Sequence, residues 1–177
     1  PAICIKSFGN ELKTGTIEIL FSRPIKNIEL VLGKFIGCFI ISIFNIIPTV
    51  IYFIGIYSLK DDTALIDIGS TITSYIGLLL LSCSFISISI FSSILSNNQI
   101  VSFIISIFIC FFLFFVNEFV DFINDPKVYD MINYIGIKEH YFSLNQGIIS
   151  IKDLSYFFAL NYLFIYLSAI NLNRMKT

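Results

Sequence analysis

Side chains that could do chemistry are few in this sequence. Six serines crowd one apolar stretch: Ser82, Ser84, Ser87, Ser89, Ser92 and Ser93. The one histidine, His140, has Glu139 beside it. A serine nucleophile needs a base within hydrogen-bond reach, and neither histidine nor lysine falls within the serine stretch. Small hydroxyl residues also allow apolar helices to pack closely, and the sequence favours packing over a nucleophile or a polar pathway.

Sites for nucleotides and metals are not indicated. Gly9 and Gly15 lie near Thr16, but the GxxxxGK[ST] loop and its phosphate-binding lysine are absent. One histidine makes no metal site without further ligands at suitable spacing. The four cysteines form no CxxC pair and have the character of small buried apolar residues: Cys4, Cys38, Cys83 and Cys110. We therefore expect no cofactor, no metal and no ATP chemistry from this chain itself.

The composition indicates a membrane protein. Hydrophobic residues make up 56% of the 177 residues and charged residues 13%, whereas soluble domains are about half apolar and about a quarter charged. Apolar runs long enough to cross a bilayer, about 20 residues, lie at 35–57, 72–95, 100–120 and 154–172. The only charged residue within them is Glu118, near the outer end of the third run. The runs are continuous rather than alternating, which favours helices over barrel strands. The sequence predicts an all-α, polytopic bundle of four transmembrane helices within a domain at 35–172.

Charge predicts the orientation. Residues 1–34 and the tail 173–177 hold seven basic and three acidic residues, a net charge of +4. The segments on the other side hold four basic and nine acidic residues, a net charge of −5. Basic flanks face the cytoplasm, so both ends of the chain are predicted to be cytoplasmic and 121–153 to lie outside. Apolar residues at helical spacing in 121–153 predict short helices at the outer interface. The net charge of −1 gives no basic surplus for nucleic acid.

The polarity of the spans limits the mechanism. No ionisable residue lies near the middle of any predicted span. Intramembrane charges are costly and mark ion and proton pathways, so their absence argues against a self-powered pump.

The segment before the first span, residues 10–25, has the most informative pattern. Glu11, Gly15 and Glu18 recur at i, i+4 and i+7, which places them on one face of a helix. Glycine inside a helix costs about 1 kcal/mol relative to alanine, so Gly15 predicts a helix break or a close backbone approach. The segment is predicted to be an amphipathic helix that presents acids and a glycine to a partner. An ordinary solvated helix is the alternative.

Three stretches carry a family resemblance. The first has the pattern E-x-x-x-G-T-x-E-x-L-x-x-x-P, followed by L-G-K. Its positions are Glu11, Gly15, Thr16, Glu18, Leu20 and Pro24, then Leu32, Gly33 and Lys34. The others are SNNQIVSF at 96–103 and EHYFSLNQGIISIKDLSYF at 139–157. Together they resemble ABC-2 type permeases, the membrane subunits of ATP-binding cassette transporters, and most of all the bacterial gliding-motility-associated subgroup.

The resemblance implies a function and partners. In that family the G-T-x-E segment is a cytoplasmic coupling helix that docks on the ATPase subunit, which gives this role to Glu11, Gly15, Thr16 and Glu18. The usual subunit has six spans, with this helix after the second, so the chain would lack two N-terminal spans. The resemblance implies a non-catalytic exporter subunit in the bacterial inner membrane, paired with a second permease (identical or different) and driven by a separate ATPase. A membrane scaffold or accessory subunit, or an intramembrane enzyme using the serines or His140, are the alternatives.

Overall fold

The structure, a computed structural model, describes residues 1–16, 25–59, 67–118 and 126–176. Its regular elements are helices, and no strand occurs in these ranges. In chain order they are α1 (Ile5–Thr14), α2 (Asn27–Ser58), α3 (Ile68–Leu95), α4 (Gln99–Phe115), α5 (Pro126–Ile135), α6 (Ile137–Asn145) and α7 (Ile151–Lys176). The all-α class predicted from the sequence is confirmed.

Four of these helices are long and apolar enough to span a membrane: α2, α3, α4 with its extension to Glu118, and α7. The predicted number of spans is therefore found. The first spanning helix, α2, however, begins at Asn27, eight residues before the predicted start at Phe35. Glu29 lies in its first turn and accepts a hydrogen bond from the Lys26 amide at 3.3 Å. An acid in the first turn favours the helix, whereas a search for uncharged runs stops at such residues.

Helix α2 is longer than the hydrocarbon core of a bilayer is thick. Its 32 residues extend about 48 Å at about 1.5 Å per residue, while the hydrocarbon core is about 30 Å thick. More than three turns of α2 therefore fit outside the hydrocarbon. The charged residues of its first turns, Glu29 and Lys34, have room to lie in the aqueous layer at one end of the bundle.

Helix α3 forms the centre of the bundle and packs against α1, α2, α4, α6 and α7. Half of its most apolar window is buried inside the chain, against 11% for α2. Its serines are part of this packing. Ser84, Ser87 and Ser92 donate to carbonyl oxygens three or four residues earlier, and the hydroxyls of Ser89 and Ser106 lie 2.8 Å apart between α3 and α4. Buried hydroxyls bonded in this way let the helices approach closely, in agreement with the packing interpretation.

Contacts at the two ends of the bundle show which segments lie together. At one end the Asn27 side chain, at the start of α2, donates to Asn173 near the end of α7. Gly9 of α1 faces Gln99 at the start of α4. At the other end Ser74 of α3 donates to the Asn145 side chain at 2.9 Å. The segments that carry the basic surplus therefore lie together at one end of the bundle, and those that carry the acidic surplus lie together at the other end.

Two short helices, α5 and α6, lie at the acidic end, where the sequence predicted short interfacial helices. They are separated by Gly136, which has an extended conformation as the N-cap of α6. A Cβ at this position would overlap the Asn117 side chain, so the close approach of α4 to this turn requires glycine. The Asn117 amide donates to Asn133 of α5 at 3.2 Å. Ile137 and Leu144 of α6 are fully buried against Phe157 of α7, which holds α6 on the bundle.

Candidate functional site

Helix α1 is anchored in the bundle by one face. Cys4, which precedes the helix, and Phe8 have no exposed surface. They belong to an apolar cluster with residues of α2, α3 and α7, including Cys38 and Ile90. On the same helix, a Cβ at Gly9 would lie 3.4 Å from the side chain of Gln99. The described part of the segment is therefore a packed element rather than a helix surrounded by solvent.

Lys34 of α2 connects this face of α1 to the first span. Its ammonium group donates to the Ser7 carbonyl oxygen and to the Glu11 carboxylate. The same nitrogen lies 3.8 Å above the centroid of the Phe8 ring. The side chains of Lys34 and Glu11 are 19% and 29% exposed. A lysine ammonium has three N–H donors, so two hydrogen bonds and one cation–π contact occupy all of its directions, and all three partners belong to α1.

The cysteines before α1 and within α2 add a second contact between these helices. Cys4 and Cys38 are both buried in the same apolar cluster at this end of the bundle. A free cysteine in such surroundings packs as a small apolar side chain. The pair therefore contributes packing between α1 and α2.

Gly15 ends α1. It has a left-handed conformation, with φ of +70°, which glycine adopts without the steric cost that a Cβ brings. The hydroxyls of Thr14 and Thr16 lie 2.9 Å apart across it, and all three residues are exposed. Apart from its chain neighbours, no described residue has an atom within 4 Å of where a Gly15 Cβ would stand. Residues Thr14, Gly15 and Thr16 thus form an exposed tip at the end of an anchored helix, and the predicted break at Gly15 is confirmed.

The sequence-predicted docking residues take different positions. Glu11 faces Lys34 inside the bundle end, whereas Gly15 and Thr16 are exposed at the tip. Glu18 lies in 17–24, outside the described residues. The expectation of one continuous helical face through Glu11, Gly15 and Glu18 was wrong at Gly15, because a left-handed residue ends the 3.6-residue period there. The structure brings together Glu11 with Lys34, and Gly15 with Thr16.

A second polar cluster lies at the opposite end and was missed in the sequence. His140 Nδ1 is 2.7 Å from Asp153 Oδ1, and its Nε2 is 3.3 Å from the Tyr134 carbonyl oxygen. The imidazole stacks on Tyr156 with ring centroids 4.0 Å apart. His140 and Asp153 are 4% and 5% exposed. The pair joins α5, α6 and α7 beside a cavity of about 460 Å³, which is also lined by Lys152.

The geometry of this cluster favours a structural role. Both ring nitrogens of His140 lie within hydrogen-bond distance of an oxygen of the chain itself, whereas a general base must reach the proton that it abstracts from a substrate. Nor do three His, Cys, Asp or Glu side chains come together as a metal-ion site would require in the part of the chain that the structure describes. A sequence signal did exist: His140 and Asp153 both lie within the stretch 139–157 that carries the family resemblance.

The fold and its exposed tip define a multi-pass α-helical membrane protein with a short anchored helix at one end of the bundle. The sequence model of the ABC-2 family transporter proteins matches residues 2–172, and the chain belongs to this family. Neither the curated proteins nor the solved structures give a significant match. Members of the family are the membrane components of ABC transporters. These components are not themselves catalytic and work with an ATPase subunit. This chain is therefore a permease component.

Proposed function

We propose that this permease is an exporter subunit of the bacterial cytoplasmic membrane, driven by a separate ATPase that docks on the segment beginning at the tip of α1. The observation that carries the proposal is the tip itself. It is exposed, it ends a helix whose other face is buried against three spans, and it begins the G-T-x-E pattern at Gly15, Thr16 and Glu18. A docking partner at the tip would act on a part of the permease that cannot move without its spans.

Charge supports the orientation in this proposal. The end of the bundle that holds α1, the start of α2 and the end of α7 contains the basic surplus. The opposite end contains the acidic surplus, including Asp153 and Glu139. Basic flanks remain on the cytoplasmic side, which puts the tip of α1 where a cytoplasmic ATPase can reach it.

A second permease subunit, identical or different, completes the proposed transporter. Only 11% of the most apolar window of α2 is buried inside the chain, so most of its surface is left for lipid or a partner permease. The resemblance of 10–34, 96–103 and 139–157 to the gliding-motility-associated permeases supports export and a role in gliding motility. Loss of surface spreading in a gliding host that lacks the protein would support the motility assignment, and normal spreading would contradict it.

Two rival functions lead to different expectations. A scaffold or accessory subunit would purify with membrane partners but without an ATPase. An intramembrane enzyme would need a serine hydroxyl that faces a base. The hydroxyls of Ser84 and Ser92 instead donate to the carbonyl oxygens of Leu80 and Ile88 within their own helix, which disfavours the enzyme.

The experiment that tests the proposal is charge reversal at Glu18 in the full-length protein. An exposed ion pair contributes about 0–1 kcal/mol, whereas reversing one partner of a buried interfacial pair costs about 2–5 kcal/mol. At about 1.4 kcal/mol per tenfold change, Glu18→Lys should weaken ATPase binding about 30-fold or more while membrane insertion stays normal.

The matched control is Glu139→Lys, which reverses an exposed acid at the opposite end of the bundle. It should leave ATPase affinity unchanged. Equal affinities for Glu18→Lys and the wild type would show that this segment is not the docking element, and recovery of the wild type without any ATPase would favour the scaffold.

A further inference from the structure

Glu11 and Lys34 join the helix that carries the exposed tip to the first span. We infer that this pair is the link through which movement of the docking segment reaches α2, and that Glu11 acts inside the permease rather than on the ATPase. The inference rests on the proposed function, because it assumes that an ATPase acts on the tip. It gives Glu11 a positioning role that differs from that of Gly15, Thr16 and Glu18.

The contacts of Lys34 make the link specific. Its ammonium group is bonded to the Ser7 carbonyl and the Glu11 carboxylate and lies over the Phe8 ring, and the side chain is 19% exposed. Ser7, Phe8 and Glu11 lie on one face of α1, since residues three and four apart are neighbours on a helix. A single side chain of α2 is therefore held by a full turn of α1, and displacement of α1 must pull on the first turns of the span.

Glu11 is poorly placed to bind a partner. Its carboxylate is already paired with Lys34, and 29% of its side chain is exposed. An ATPase residue that bound Glu11 would have to break this pair and leave the mostly buried Lys34 ammonium without its counter-charge, which is strongly unfavourable. Gly15, one turn further along, is exposed. The tip therefore docks the ATPase, whereas Glu11, one turn earlier, connects α1 to α2.

The first span is also the span with the least packing inside the chain. The most apolar window of α2 is 11% buried, compared with 50% for α3 and 22% for α7. Fewer internal contacts oppose a shift of α2 than a shift of α3. Since α1 is attached to α2 through Lys34 and through the apolar cluster that contains Phe8, Val31 and Cys38, a force on the tip acts on the span with the least packing inside the chain.

The test compares two quantities for the complex of the full-length permease with the ATPase that copurifies with it. One is the affinity between the two subunits, and the other is the permease-dependent rate of ATP hydrolysis. Glu11→Lys and Lys34→Glu should each leave the affinity within twofold of the wild type. Each should lower the permease-dependent rate by about tenfold or more, which corresponds to about 1.4 kcal/mol of lost transition-state stabilisation. The double variant restores opposite charges but not the contacts of the Lys34 ammonium with the Ser7 carbonyl and the Phe8 ring, so it should recover part of the rate and exceed both single variants.

Control variants separate this link from other effects. Glu29→Lys reverses an acid at the same end of α2 that caps the helix through the Lys26 amide and should leave the rate near that of the wild type. Loss of subunit affinity in Glu11→Lys would show that Glu11 is a docking residue and would overturn the inference. So would a double variant no better than either single variant, or hydrolysis that is independent of the permease. If a single variant does not insert, the double variant decides alone. A wild-type permease that binds no ATPase refutes the proposed function instead.

Discussion

The buried pair of His140 and Asp153 gives a prediction whose size follows from the structure. His140→Phe keeps a ring that can stack on Tyr156 but removes both hydrogen bonds of the imidazole. The Asp153 carboxylate, 5% exposed, then lacks its charged or hydrogen-bonding partner. Breaking a buried pair in this way costs about 3–5 kcal/mol. For a chain of this size each kcal/mol lowers the melting temperature by about 2–4 °C, so the variant should melt about 6–20 °C below the wild type.

The chain's own cysteines provide the assay. Cys4, Cys38 and Cys110 are buried, so a maleimide dye that fluoresces on reacting with thiols reports unfolding during heating in detergent. The double variant His140→Phe with Asp153→Leu removes the stranded charge and should regain at least half of the loss. The control Glu139→Gln, which changes an exposed neighbour, should stay within about 0.5 kcal/mol. A melting temperature of His140→Phe within about 2 °C of the wild type would show that the buried pair contributes little to the stability of the bundle.

Three further predictions concern the topology, the contact between Ser89 and Ser106, and the tip of α1. A cysteine at Gln146 should react with a membrane-impermeant maleimide added outside intact cells, and one at Asn97 should not; the reverse pattern would invert the orientation. Ser89→Ala removes the 2.8 Å contact with Ser106 and should destabilise the bundle by about 0.6–1.7 kcal/mol in the same thermal assay, whereas unchanged melting would deny the contact a role. Gly15→Val forces a side chain into a left-handed conformation at a cost of about 1–2 kcal/mol. We therefore expect Gly15→Val to weaken ATPase binding about 5- to 30-fold. An unchanged ATPase affinity would contradict this prediction.

Much of the fold could be predicted from the sequence because a bilayer makes strong local demands. A span must be long, uncharged and helical, and each of these properties is visible within one window of sequence. The early start of α2 was missed because the prediction looked for uncharged runs. Glu29 and Lys34 interrupt the apolar run without interrupting the helix, since glutamate and lysine are good helix formers.

The polar pairs could not be predicted because they join distant residues. Lys34 is 23 positions from Glu11, and His140 is 13 positions from Asp153. Periodicity describes which residues share a face of one helix, but it does not say which helix lies opposite. The family motif did include Glu11 and Lys34, although it gave no reason to pair them. The turn at Gly15 was more accessible, because the conformational cost of glycine in a helix is a local property.

We propose that a separate ATPase drives this permease through its cytoplasmic segment. The most direct measurement is purification of the tagged full-length protein from native membranes, with quantitative mass spectrometry of its partners and an assay of vanadate-sensitive ATP hydrolysis. We predict an ATP-binding cassette subunit in equal amount to the permease and hydrolysis that depends on both. Recovery of the protein without such a subunit, or with membrane partners that hydrolyse no ATP, would contradict the claim.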